Sequence, residues 1–259
     1  ISLDLSSNLS VHASKSTLIG VNDQVGVSIS KLLSDSSTLT HLDISDNSFL
    51  TEELNEIHTA CAWNSTLTSL DLSNTGMTCK TARTLAYSIL GNKYGGIISS
   101  LNISQNKLDP RSIDDFATLL SHKNVGIENL DVSGNFLDDD VASKFGRSLS
   151  SSNCNLKELN LNAISGTKEL NCANITCDGV RALINGSIST KKLKRLRLQG
   201  HSIRSSGANA IAQCLNRTGL NALDLRNNQI GERGVVAIAY VCGTRSHDKE
   251  GDTSRVKIL

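Results

Sequence analysis

The sequence predicts an α/β solenoid, a horseshoe of about eight strand–turn–helix units with parallel strands on the concave face and helices on the convex face. Three observations predict it. Apolar residues stand at fixed offsets in Leu220, Leu223, Leu225 and Ile230, with Asn228 inside the pattern. The same offsets return from Leu39, Leu67, Ile98, Ile127, Leu156 and Leu193, at steps of about 28 residues with one longer step. A stretch of helical period follows each copy; after the last, Val235, Ile238, Ala239 and Cys242 share one helical face, the expected buried one.

Each unit opens with a strand. Apolar residues flanking one polar position, as in Leu42-Asp43-Ile44, bury alternate side chains of a short strand. The Asn that follows suits a tight turn, because its amide can bond backbone groups that no strand partner reaches. Asn8, Asn47, Asn106, Asn135 and Asn228 hold this position and are expected to form a structural turn ladder. Three copies depart from it, with Thr75, Ile164 and His201 in place of the Asn. Leu3 and Leu5 belong to an earlier, partial copy, and Val256 and Ile258 have the pattern to begin a ninth strand. Residues 1–242 are therefore expected to be one repeat domain, and 243–259 a polar loop with that ninth strand.

The unit length, the Leu-Asp-Ile-Ser-Asp-Asn stretch at 42–47 and the Asn-x-Ile-Gly-x-x-Gly-Val-x-Ala-Ile-Ala stretch at 228–239 resemble the ribonuclease-inhibitor-like class of leucine-rich repeats. That class includes ribonuclease inhibitor, NOD-like receptor sensor domains, Ran GTPase-activating proteins and tropomodulin. The resemblance covers nearly the whole chain and implies the horseshoe. It does not choose among the functions the class hosts.

The helices follow in order. Thr51, ahead of Glu52 and Glu53, reads as an N-cap, with Leu54, Ile57 and Cys61 facing inward. Asp109 before Pro110 reads as an N-cap with proline at the first helical position. The run Asp138, Asp139 and Asp140 reads as helix capping rather than a calcium site. Further helices are expected at 178–184, 205–215 and 231–242.

A net charge of +1 leaves no global field to recruit nucleic acid or a membrane surface. No apolar run is long enough to span a bilayer. Cys61, Cys214 and Cys242 fall on apolar helix faces, which suggests free thiols and an intracellular, reducing compartment such as the cytoplasm. Cys172 and Cys177 lie near an irregular repeat, where a bridge stays open and a zinc site has little support. The six histidines are scattered among different units, and no phosphate-cradling glycine motif occurs. No catalytic set, cofactor or metal is expected.

Insertions of about ten and about nine residues interrupt the period after Asn8 and after Leu161. Both leave between strand and helix, on one rim. They read either as binding loops or as tolerated growth.

The candidate site is the concave face. The outward column is Asp4, Asp43, Asp71, Asn102, Asp131, Asn160, Arg197 and Asp224. Strands stack about 5 Å apart, so the carboxylates of the first five repeats add to an acidic stripe. The stripe reads as a partner site or as a generic solvated ladder. Lys191, Lys192, Lys194, Arg195, Arg197 and Arg204 form a basic patch, for an acidic protein partner or as an ordinary charged edge. Aromatics are only 3% of residues, which argues for a polar interface and against nucleic-acid stacking.

The expected function is a protein–protein interaction scaffold with no chemistry of its own. The alternatives are an enzyme regulator, of the GTPase-activating or nuclease-inhibiting kind, and a sensor domain of a NOD-like receptor. Neither end shows an evident cap, so the chain is expected to be part of a longer array or a multi-subunit complex.

Overall fold

The computed structural model describes residues 1–8, 23–94, 98–164, 174–244 and 257–258. Strands and helices alternate. They are β1 (Ser2–Asp4), α1 (Asp23–Asp35), β2 (His41–Asp43), α2 (Thr51–Ala60), β3 (Ser69–Asp71), α3 (Cys79–Leu90), β4 (Ser100–Asn102), α4 (Pro110–Leu119), β5 (Asn129–Asp131), α5 (Asp139–Leu149), β6 (Glu158–Asn160), α6 (Cys177–Thr190), β7 (Arg195–Arg197), α7 (Arg204–Leu215), β8 (Ala222–Asp224), α8 (Gly231–Thr244) and β9 (Lys257–Ile258). The strands form one parallel sheet in chain order.

Register follows from the leucines. Leu3, Leu42, Leu70, Leu101, Leu130, Leu159, Leu196, Leu223 and Ile258 align as one row. From Leu42 to Leu223 that row is buried. A slip by one residue would turn every leucine outward, so the hydrophobic pattern holds the register. Each buried leucine contributes about 2 kcal/mol of transfer free energy. The core is continuous from Ile29 to Ile238. Strands pack about 5 Å apart but helices about 8–10 Å apart, so stacking both in one array bends it, strands inward.

Caps are local. Asp109 Oδ1 accepts Ser112 N–H at 2.8 Å and Asp138 Oδ1 accepts Val141 N–H at 2.9 Å. Asp139 instead reaches the next unit. Its Oδ1 accepts the N–H groups of Thr176 and Gly179, and its Oδ2 accepts the Thr176 hydroxyl, fastening the start of α6. At α2 the expectation is corrected: Leu50 is the N-cap and Thr51 the first helical residue. Glu53 accepts the Leu50 N–H at 2.8 Å, which substitutes for the side-chain cap leucine lacks.

The buried face of α8 also differs from the expected one. Gly234 and Ile238 are buried, with Ala237 and Val241 partly so, whereas Val235 is 59% exposed and Ala239 is exposed. The equivalent residues of α6 and α7, Val180 with Ile184 and Ala208 with Ala212, are buried. Those helices have a following helix against that side; α8 has none among the described residues. Between α5 and α6 the backbones touch. A Cβ on Gly186 would lie 2.1 Å from the Gly146 carbonyl oxygen, and one on Gly146 2.4 Å from that of Ala182.

The first insertion lies largely outside the described residues, as do the centre of the second and most of the segment from 243 to 255. Cys177 carries a free thiol; Cys172 is outside the described residues.

Candidate functional site: the concave strand face

The turns position this face. Asn106 Nδ2 donates to Leu72 O of the preceding unit and to Ile103 O and Ser104 O of its own. Its Oδ1 accepts Thr75 N–H and Met77 N–H at 3.0 Å each. Asn135 does the same for Ile103 O, Val132 O, Asn106 N–H and Leu108 N–H. Asn47 bonds Leu5 O, Ile44 O and Asn8 N–H, and Asn228 bonds Leu198 O and Leu225 O. Asn8 stands apart: its side chain is exposed and, among the described residues, donates to Ser6 O of its own unit. The amides of Asn47, Asn106 and Asn135 thus satisfy carbonyls of two units and N–H groups of the preceding one, whereas Asn228 serves carbonyls alone and its Oδ1 has no partner among the described residues.

Two departures from Asn have distinct outcomes. Thr75 Oγ1 donates to Leu72 O within its own unit and meets Asn106 Oδ1; it does not reach back to the preceding one. His201 does reach back. Its Nε2–H donates to Leu161 O at 2.6 Å, and its Nδ1 accepts Ile175 N–H at 3.2 Å. Ile175 is fully buried where the pattern wants an apolar residue after the turn, while Ile164 is only half-buried. Burial lowers the pKa of His201, opposed by the Leu161 carbonyl and the charge of Asp139.

The outward column stands in register on β1 to β8 as Asp4, Asp43, Asp71, Asn102, Asp131, Asn160, Arg197 and Asp224. Its first task is local. Asp43, Asp71 and Asp131 each accept, through Oδ1, the N–H two residues on at 2.9 Å. Asn102 and Asn160 accept in the same way. The side-chain bond from Ser6, with its N–H, holds the Asp4 carboxyl below its ordinary pKa.

The second oxygens divide the column. Asn102 Nδ2 donates to Asp71 Oδ2 at 2.8 Å, and Asn160 Nδ2 to Asp131 Oδ2 at 2.7 Å. Asp4 and Asp43 have no such partner among the described residues; the donating carboxamides are neutral, so Asp71 and Asp131 keep their charge, and only the unbonded second oxygens are particular to β1 and β2.

Asp224 is corrected. It is 2% exposed, and Arg226 covers it with Nε on Oδ1 at 2.9 Å and Nη2 on Oδ2 at 2.5 Å. Burial pulls its pKa up, but the bonds and charge of Arg226, together with Arg197, outweigh this and hold it low. It presents no free carboxylate to a partner.

The basic patch does not hold together. Lys191, Lys192 and Lys194 lie on the rim ahead of β7, while Arg204 opens α7 beyond the strand's far end. Lys192 Nζ is spent on Ser152 O and Cys154 O, and Lys194 Nζ on Lys191 O. Arg195 pairs with Glu158 at 2.5 Å. Of these cations only Arg197 stands on the strand face with a guanidinium that makes no hydrogen bond or ion pair to a described residue. A groove of about 230 Å³ runs from Asp71 and Ser100 on β3–β4 across Asn129 and Asn160 to Arg195 and Arg197. The exposed aromatics Trp63, Tyr87, Tyr94 and Tyr240 all lie off this face.

Among the described residues the histidines form no catalytic geometry; His12 and His247 lie outside them. His41 Nδ1 meets Thr40 Oγ1, and His58 is buried with Nδ1 on Thr81 O at 2.8 Å. Among the described residues no cluster of His, Cys, Asp and Glu could hold a metal ion, and no helix is long and apolar enough to cross a membrane.

Comparison with known proteins agrees with the repeat. A family model described as Leucine Rich repeat matches residues 35–52, 64–80 and 218–239, which hold β2, β3 and β8 with their turns. The chain thus carries leucine-rich repeats. No curated protein matches it. A solved structure described as leiomodin-1 actin-binding site 2 (ABS2) matches at 18% identity and a TM-score of 0.45, over 57% of this chain and 83% of that one.

Proposed function

We propose that this chain is a protein-binding scaffold whose concave strand face receives the partner. The observation that carries the reading is the rigid register of that face combined with groups left open on it. Among the described residues, Asp4 and Asp43 keep an unbonded oxygen at one end, and Arg197 keeps an unpaired guanidinium at the other. The leucine-rich repeats support the reading, as folds of this kind work by display rather than chemistry. We assign the repeats to the ribonuclease-inhibitor-like class on the strength of the multi-turn helix in every unit. The partner is a protein rather than nucleic acid, because the face lacks stacking aromatics. A reducing compartment suits the buried free thiols Cys61 and Cys154, which pack as hydrophobes.

The test is cross-linking with mass spectrometry on the native complex, repeated with Asp43→Lys and Arg197→Glu. Cross-links should map to the strand face and be lost in these variants, while a convex-face reversal such as Arg83→Glu keeps them. Cross-links confined to the helices would overturn the reading.

A further inference from the structure

The Arg197 guanidinium lies beside the buried Asp224 and acts on it through space, but has no hydrogen bond or ion pair to a described residue. In its row the neighbour on β6 is the neutral Asn160, whose amide already donates to Asp131 Oδ2. The neighbour on β8 is Asp224, but Arg226 occupies both of its oxygens. Two guanidinium groups therefore face one carboxylate, and Arg197 is the exposed one left over. Nearby, Glu158 is taken by Arg195. No described side chain pairs with the Arg197 guanidinium, although Asp71, Asp131 and Glu158 line the same groove.

The rest of the groove is equipped for a peptide backbone. The Asn129 carboxamide and the Ser100 hydroxyl line it and make no side-chain hydrogen bond to any described residue. A free carboxamide offers N–H donors and a carbonyl acceptor side by side, which complement the C=O and N–H of a peptide unit. The floor between them is the buried leucine row with the bonded Asn–Asp pairs, low and without bulky side chains. Asn129 on β5 and Arg197 on β7 are two strand steps apart and two residues out of row along the strands, about 12 Å on the diagonal, which is the length of about three to four extended residues.

We propose that this groove binds an extended peptide segment carrying one acidic side chain, seated at the Arg197 end and away from Asp71. A partner Asp or Glu carboxylate pairs with Arg197, and a peptide unit about three to four residues away bonds the Asn129 carboxamide. The proposal rests on the scaffold reading above and adds the chemistry of what is bound.

The experiment is selection of a displayed random 12-residue peptide library on the full chain, followed by fluorescence anisotropy with the synthetic form of the strongest binder. Enriched peptides should carry Asp or Glu. Arg197→Ala should weaken the synthetic peptide by about tenfold or more, with Arg197→Lys in between, and Asn129→Ala should weaken it by several-fold. Arg197→Glu should shift the selection towards basic peptides. All three positions lie on the surface of the face, and circular dichroism checks that the variants stay folded. Peptides blocked by Ser100→Trp, which fills the groove, but indifferent to Arg197→Ala would overturn the acidic preference while leaving concave-face binding intact. Peptides indifferent to both, or no enrichment, would overturn the inference, and cross-links on the helices would remove the scaffold reading separately.

Discussion

The turns after β5 and β7 do one job with two chemistries. Asn135 and His201 both reach back one unit, donating to a strand-end carbonyl and accepting a backbone N–H. Asn135 also serves a carbonyl of its own unit, and it carries no titratable group. His201 has one nitrogen for each task, so it can accept only while neutral. The pair of cross-unit bonds is thus what the fold demands at this position. Asn supplies them independently of pH, His only above its pKa. Thr75 shows the limit, since a side chain that short serves only its own turn and its next neighbour.

Several measurements would break or sharpen that contrast. The largest effect is expected for Asn135→Ala, which strands buried carbonyls and N–H groups in two units; urea denaturation should show a loss of about 3–4 kcal/mol. Next comes acid. His58 is fully buried and held neutral, its pKa lowered to about 4 by burial, partly offset by the Thr81 carbonyl. Its unfolded form takes up a proton near 6.5, so stability is complete above that pH and falls as pH drops towards 4. The part of the loss due to His58 should approach ~3 kcal/mol, and His58→Leu should show a shallower fall across that window, with the His201 share remaining.

A local test follows from His201, whose folded pKa is also lowered. Protonation removes the acceptor for Ile175 N–H. Hydrogen exchange, corrected for intrinsic rates, should therefore show Ile175 losing protection on acidification while Leu108, held by Asn135, keeps its own. Equal behaviour of the two amides would sink the contrast. The smallest effect is expected for Thr75→Asn, which adds the missing reach to the preceding unit and should stabilise by about 1 kcal/mol.

The fold was legible in the sequence because its driving term repeats. Leucines at constant offsets specify strand, register and stacking direction without knowledge of any particular neighbour. The inner column was legible as positions but not as open groups. Whether the second oxygen of Asp71 is free depends on Asn102 in the next unit, and whether Asp224 is open depends on Arg226 lying back across it. Neither follows from periodicity. The face of α8 misled for a related reason. Val235 and Ala239 fit a helical stripe, but the stripe in this fold contacts two neighbours, and only one side of it is covered here. Asp139 reads as one of three capping acids, yet it caps the following helix through an approach only tertiary structure reveals.

The bare contact of Gly146 with Gly186 has a wider result. Where two outer rods lie closer than usual, the wedge angle between their units shrinks towards that of parallel slabs. The arc should therefore run straighter from the fifth unit to the sixth, leaving Asn129 and Arg197 on a stretch broad enough for an extended chain to lie flat.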